Sequence, residues 1–342
     1  MLEEVLLRPR FDDSVLGVTK DQAVTALQRQ SEDARAVAMR EAMIWHFRGH
    51  PYGRDPLDGV ETIPGLTRED LRDFLRKYFV PANLVVAVSG DLDRQKAFDS
   101  LHGFLRLLPD TEPPSRNLPA PTPAEPVLAF TPKEGQVQSQ VTLVLPSMTR
   151  THPDYWKLSL LMNVFGGSDS MLFTRLREDL GLVYSTFFVQ TYKWKAGMLL
   201  GYSGCKGDQT ATALRETLEM MDGLGRDLPA HELEQKRSDV LNSFVFNVDT
   251  PAQLVETYAR YELRGEPLDT LEKIQQAYLL AKKEELESLA RTFLDPRKIQ
   301  VFTVGEKETN VRKEDGSVVK LEETLRSLAS VRGLPFQEIP LR

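Results

Sequence analysis

The sequence predicts a mixed α/β (α+β) protein built from a duplicated unit, and three observations predict it. First, TREDLRDFLRKYFVPANLVVAVSGD (residues 67–91) recurs as KKEELESLARTFLDPRKIQVFTVGE (282–306). Leu71/Leu286, Arg76/Arg291, Pro81/Pro296 and Gly90/Gly305 all fall at a constant offset of 215. Second, residues 109–126, PDTEPPSRNLPAPTPAEP, contain seven prolines. Proline fixes φ and removes a donor, so this stretch reads as an extended linker. Third, runs with helical periodicity alternate with β-branched runs on the C-terminal side of that linker.

Taken in order, Leu2 to Leu7 is a short apolar helix that stops before Pro9. A longer helical stretch from about Thr19 to Phe47 is broken at Ser31-Glu32-Asp33, where small polar residues suit a helix start. HPYGRDPLDG (50–59) reads as a loop. Thr67-Arg-Glu-Asp70 resembles a capping box, with Leu71, Phe74, Leu75 and Tyr78 on the face that follows. Leu84 to Ser89 reads as a buried strand closed by Gly90-Asp91, and Arg94 to Leu107 as an amphipathic helix. Beyond the linker, Ser139 to Leu145 is a strand. Leu158, Leu161, Met162 and Phe165 then mark one face of a helix ending at Gly166-Gly167, where glycine suits a left-handed C-cap. Strands at 183–191 and 197–203 form a hairpin, and Asp208 caps a helix that stops at Gly225. Helices follow over about 230–247, from Thr250-Pro251 and from Asp269. Ile299 to Val304 is the last strand and Leu321 to Ser330 a terminal helix. The charged segment 308–320 reads as a mobile surface loop.

The repeat divides the chain into 1–108, the linker 109–126, and 127–342. The second copy begins near Gln138, so the first-copy counterparts of the strand at 139 and the hairpin after it would fall before Met1. About 75 residues of the first domain are expected to lie elsewhere, either in a longer chain or in another polypeptide. One strand cannot make a sheet by itself.

Composition narrows the function. The formal net charge of −7 argues against a nucleic-acid partner. No apolar run approaches the roughly 18 residues of a membrane span. Met-Leu-Glu-Glu carries acids where an export signal needs a positive region, and the compartment is left open between cytoplasm and periplasm. The single cysteine, Cys205, excludes an internal disulfide and reads as a buried thiol.

His46 and His50 are four apart, the spacing of two zinc ligands on one helical face. Phe47 and Gly49 stand where either orientation of the motif needs its glutamate. Neither His-x-x-Glu-His nor His-Glu-x-x-His occurs in the chain, so no metal ligand is assigned. Arg177, beside Glu178 and Asp179, and Tyr184, at a strand start, read from spacing alone as a solvated ion pair and half-buried packing.

Their surroundings change that reading. GGSDSMLFTRLREDLGLVYS, together with GHPYGRDPLDG, PANLVVAVSGD and TPAQLVETYARYELRG, resembles the insulinase and mitochondrial-processing-peptidase (pitrilysin) family of zinc metallopeptidases. The likeness runs from about Leu2 to Gly305. It implies two homologous domains, each a mostly antiparallel sheet packed against helices, the first N-terminally incomplete here. It also implies a zinc held by an inverted His-x-x-Glu-His motif and a distant glutamate in the active domain. An arginine and a tyrosine seven residues apart, supplied by the other domain, hold the scissile peptide. Arg177 and Tyr184 match that pair. The positions aligned with the family's paired glutamates are Thr19 and Ala26, neither of which binds zinc, and Met171 replaces a frequent arginine.

The resemblance therefore implies a non-catalytic processing-peptidase-like subunit, inactive alone, that contributes Arg177 and Tyr184 to peptide hydrolysis. Its expected partner is a homologous zinc-bearing subunit or a second copy in a dimer. Zinc is expected in that partner or in an N-terminal segment, with no cofactor bound by residues 1–342. Two alternatives stay open: a fragment of an active zinc endopeptidase, and a non-enzymatic scaffold.

Overall fold

The structure is a computed structural model describing residues 2–342 apart from Arg116, Val245, Asn247 and Glu314. The chain opens with helices α1 (Leu2–Leu7), α2 (Asp13–Gln30), α3 (Ala34–His46), α4 (Gly59–Thr62), α5 (Arg68–Tyr78) and α6 (Arg94–Leu105). Strands β1 (Val127–Pro132) and β2 (Gln138–Ser147) lead to α7 (Tyr155–Gly166) and the single turn α8 (Met171–Phe173). The hairpin β3 (Val183–Lys193) and β4 (Ala196–Lys206) is followed by α9 (Thr210–Leu224), α10 (Ala230–Phe244), α11 (Pro251–Arg264), α12 (Thr270–Leu280) and α13 (Lys283–Phe293). Then come β5 (Gln300–Gly305), β6 (Asn310–Arg312), β7 (Val318–Lys320), α14 (Leu321–Arg332) and β8 (Phe336–Glu338).

Local chemistry sets the helix starts. Asp33 accepts from the Ala36 N–H at 2.8 Å and divides α2 from α3. Reciprocal capping boxes form at Thr67 with Asp70 and at Thr250 with Gln253. The repeat is visible in three dimensions: α5 and α13 span residues related by the offset of 215, and each is followed by a 3₁₀ turn, Pro81–Asn83 and Pro296–Lys298.

Contacts divide the chain into two units. One gathers residues 29–56, 119–240 and 274–342 around a six-stranded sheet of order β3-β4-β2-β5-β1-β8. Pairing is antiparallel from β3 to β5, and β1 runs parallel to β5 and β8. Successive side chains point to opposite faces. Phe188 packs against Phe165 of α7, with ring centroids 5.6 Å apart, while Phe187 lies on the face carrying α3. There Ala42 and Phe47 meet Val127, Ala129, Val144 and Phe302, and Ala34, Val37 and Ala38 meet Val304. A helix from the first copy of the repeat thus covers the sheet of the second. The last part of the predicted linker is strapped to this unit: Trp45 Nε1 donates to Glu125 O, and Gln300 Nε2 to Ala124 O, both at 2.9 Å.

The other unit gathers residues 1–28, 57–118 and 241–273. Its described residues form helices and turns and no strand. Residues 84–89, predicted as a buried strand, are unpaired. Val85, Val86 and Val88 are 39%, 45% and 45% exposed, whereas their repeat counterparts Gln300, Val301 and Thr303 in β5 are at most 1% exposed. The physical reason is pairing: β5 lies between β1 and β2, and residues 84–89 have no such neighbours among the described residues.

Other expectations are corrected more locally. Residues 308–320 hold the β6–β7 hairpin rather than a loop, closed around Gly316 at φ 83°. Gln209, not Asp208, precedes α9. β1 and β8 escaped notice, β8 being only three residues long. Helix α10 ends at Phe244, short of the expected 247; Asn247 lies outside the described residues.

Candidate substrate-binding site

The stretch from α7 to β3 places Arg177 and Tyr184 through a series of close constraints. α7 ends against β3 so tightly that a Cβ on Gly166 would sit 2.2 Å from the Phe188 carbonyl oxygen. Glycine is required here for approach. The expected left-handed C-cap is absent, since Gly167 has φ −69°. The left-handed residue is Asp169, at φ 49°, a residue type that tolerates that region. Lys236 Nζ donates to Ser168 O at 3.0 Å, and Ser170 caps α8 by accepting from Phe173 N at 3.3 Å.

Residues Thr174–Asp179 then widen into a π-helical turn, with Leu180 N donating to Arg175 O at 3.2 Å. Such turns hold one extra residue and recur at functional sites. Leu172 and Leu176 are buried beneath it, which leaves Arg177 directed outward. Arg175 fixes the turn to α9 through a two-nitrogen contact with Glu216 at 2.9 and 3.1 Å. Gly181, at φ 60°, reverses the chain into β3.

Tyr184 occupies a β-bulge. Val183 pairs with Cys205 and Ser185 with Gly204, so Tyr184 is the additional residue and is 46% exposed. Bulges re-aim a side chain in this way. Arg177 Nη1 donates to Val183 O at 3.1 Å, and its guanidinium carbon lies 6.0 Å from the centre of the Tyr184 ring. The two predicted residues are therefore brought together, and among the described residues Arg177 is in no salt bridge with Glu178 or Asp179. Beside Tyr184 lies an open groove of about 590 Å³, lined by Val137, Lys206, Asp208 and Glu306 among others. Sequence reasoning missed these four. They come from three separate stretches, before β2, at the end of β4 and after it, and following β5, that only the β2–β4 and β2–β5 pairings bring together.

The remaining candidates do not form a second site. His46 Nδ1 lies 2.9 Å from Gln300 Oε1, and burial pushes its pKa down. His50 places Nε2 3.0 Å from Pro119 O and accepts from Tyr52 N at Nδ1. That leaves His50 no nitrogen for a metal. Thr19, aligned with a zinc-binding glutamate, turns its hydroxyl to Val15 O at 2.8 Å. These residues do not fit a zinc ion. Among the described residues no group of three or more His, Cys, Asp or Glu is arranged to hold a metal. Cys205 is buried, and burial pushes its thiol pKa up to about 12, so it is not a reactive thiolate.

Comparison with known proteins agrees with the fold. The sequence profile described as the peptidase M16 inactive domain matches residues 65–239, just over half of the chain. The chain belongs to the peptidase M16 family. It is 23% identical over 302 residues to an uncharacterized zinc protease of Mycobacterium tuberculosis, covering 87% of this chain and 69% of that protein. A Helicobacter pylori relative named a non-peptidase homolog, YmxG, is 24% identical over 274 residues, covering 78% of this chain and 62% of that one. Among solved structures, a peptidase M16 inactive domain from Pseudomonas fluorescens superposes with a TM-score of 0.81 at 22% identity, covering 91% of this chain and 74% of its own. That M16 chain shares the mixed α/β fold described above. No described helix of the present chain is long and apolar enough to cross a membrane.

Proposed function

We propose that this M16 chain is a non-catalytic subunit that holds an extended peptide through Arg177 and Tyr184 while a homologous zinc-bearing partner hydrolyses it. The observation that carries this reading is the joint placement of the two side chains. A π-helical turn and a β-bulge, each a local departure from regular structure, both serve to present them to solvent. The guanidinium offers fixed N–H donors and the phenol one O–H donor, which suits a carbonyl oxygen on which negative charge develops. Thr19 and Ala26, where the resemblance aligns the family's paired glutamates, offer no carboxylate, which supports assigning hydrolysis to another chain. The exposed valines of residues 84–89 support a surface that a partner covers. The H. pylori relative's name lends the non-catalytic role a precedent.

The test is co-expression of this chain with the products of its neighbouring genes, assayed on quenched fluorescent peptides with and without chelator. Activity that requires both chains and falls on Arg177→Ala and Tyr184→Phe supports the proposal. Unchanged activity in both variants favours a scaffold. Hydrolysis by this chain alone, lost on chelation, overturns it.

A further inference from the structure

We propose that Arg35 forms a carboxylate-binding subsite on the sheet, selecting an extended peptide with a glutamate or aspartate about three residues from the one held at Tyr184. This rests on the peptide-holding reading above and adds a sequence preference to it. Arg35 lies in the first turn of α3, on the same sheet face as Phe187 and Tyr202. Its guanidinium carbon is 4.0 Å from the centre of the Tyr202 ring and 5.9 Å from that of Phe187. The platform is rigid: Tyr202 is buried, its hydroxyl donates to Gln140 Oε1 at 2.6 Å, and Phe187 packs beside it at 5.5 Å.

Stacking occupies the face of a guanidinium and leaves its N–H edge open for a planar carboxylate. Arg35 is exposed, and among the described residues it has no carboxylate partner. A fixed, unpaired fork of donors is what bidentate carboxylate recognition uses.

Sheet geometry supplies the register. β3 ends the sheet, so its outer edge can take an extended peptide as an added strand. Phe187 lies three residues past Tyr184, roughly 10 Å along the strand. A strand added beside β3 would run about 4.8 Å outside it, with alternate side chains on the Arg35 face. A carboxylate side chain opposite Phe187 can reach across that ring to the guanidinium. The neighbouring groove sets Asp208 and Glu306 against one cation, Lys206, so its excess of negative charge disfavours a second acid near Tyr184.

The test uses the full chain and labelled ten-residue Ser/Thr/Ala peptides with amidated C-termini, one glutamate or glutamine being walked along the sequence. A free-acid glutamine peptide tests whether a C-terminal carboxylate is read instead. At one register glutamate should bind about tenfold more tightly than glutamine, the scale of a charge-assisted hydrogen bond. Arg35→Gln should abolish that ratio while leaving the glutamine peptide's affinity unchanged, and Arg35→Lys should restore part of it. The subsite is overturned if the ratio survives Arg35→Gln, if both peptides weaken equally, or if only the free C-terminus matters. Binding that depends on Tyr184 but shows no ratio sinks the subsite alone. No binding, or binding indifferent to Tyr184→Ala, sinks the peptide-holding reading and the subsite with it.

Discussion

Arg177 and Tyr184 are joined through the backbone between them: Arg177 Nη1 donates at 3.1 Å to the carbonyl of Val183, the residue before the bulged tyrosine. The bond takes one N–H of the guanidinium fork and fixes that group relative to the phenol. A pair held this way can meet a substrate carbonyl without first paying to order two long side chains.

Because both side chains are exposed, removing them should cost little stability. Arg177→Ala and Tyr184→Phe are each expected to shift unfolding by within about 0.5 kcal/mol. In the reconstituted complex each should lower peptide turnover by about 10²–10³-fold, the scale of losing one donor to a developing oxyanion. Denaturant midpoints and steady-state kinetics on the same preparations check both halves.

Gly166 tests the scaffold under the pair. A methyl group there would meet the Phe188 carbonyl at 2.2 Å and its Cβ at 2.3 Å, neither of which can move without disturbing β3. Gly166→Ala should therefore destabilise the protein by about 1–3 kcal/mol, as overpacking does. A lowered urea midpoint with unchanged slope is the expected result. The glycine next to it, Gly167, has an ordinary φ and should tolerate alanine better.

The elements legible in the sequence were those whose signal is local. The capping box at Thr67, the Thr250-Pro251 helix start, the α7 periodicity and the β3–β4 hairpin all follow from neighbours within a few residues. Residues 84–89 had the composition of a strand, but a strand exists only through its partners, and composition does not reveal them. The pairing of Arg177 with Tyr184 could be expected from a resemblance. The π-helical turn and the bulge that create it could not, because each depends on register against β4 and on packing of Leu172 and Leu176. Lys206 and Glu306 were hidden because they adjoin Tyr184 only after the sheet forms.

Residues 84–89 and 299–304 provide an internal comparison between two copies of one sequence pattern. Amides of β5 are bonded within the sheet, whereas among the described residues those of 84–89 have no strand on either side. Hydrogen exchange should be rapid across 84–89 and slower by orders of magnitude across β5. On the proposal that another polypeptide segment completes the first-copy sheet, protection should appear at 84–89 in the reconstituted complex. Fast exchange there in an active complex would remove that proposal.

His46 sets a pH dependence whose direction follows from its site. Its side chain is buried between α3 and the sheet, next to the Phe47 ring at 4.7 Å. Gln300 commits its Nε2 to Ala124 O, so its Oε1 accepts the Nδ1 proton of a neutral imidazole. Burial lowers the folded-state pKa, and the Gln300 bond offsets this only in part. The unfolded chain keeps a histidine pKa of about 6.5. Between that value and the lower folded one, the unfolded state binds more protons, so stability falls as pH falls through this window and is level above it. The slope contributed by one site has a ceiling of about 1.4 kcal/mol per pH unit. Chemical denaturation from pH 7.5 to 5.5 should show the decline in the parent, and a His46→Gln variant should show a flatter profile over the same range. A parent and variant with parallel profiles would mean that His46 takes up its proton in the folded state as readily as in the unfolded chain.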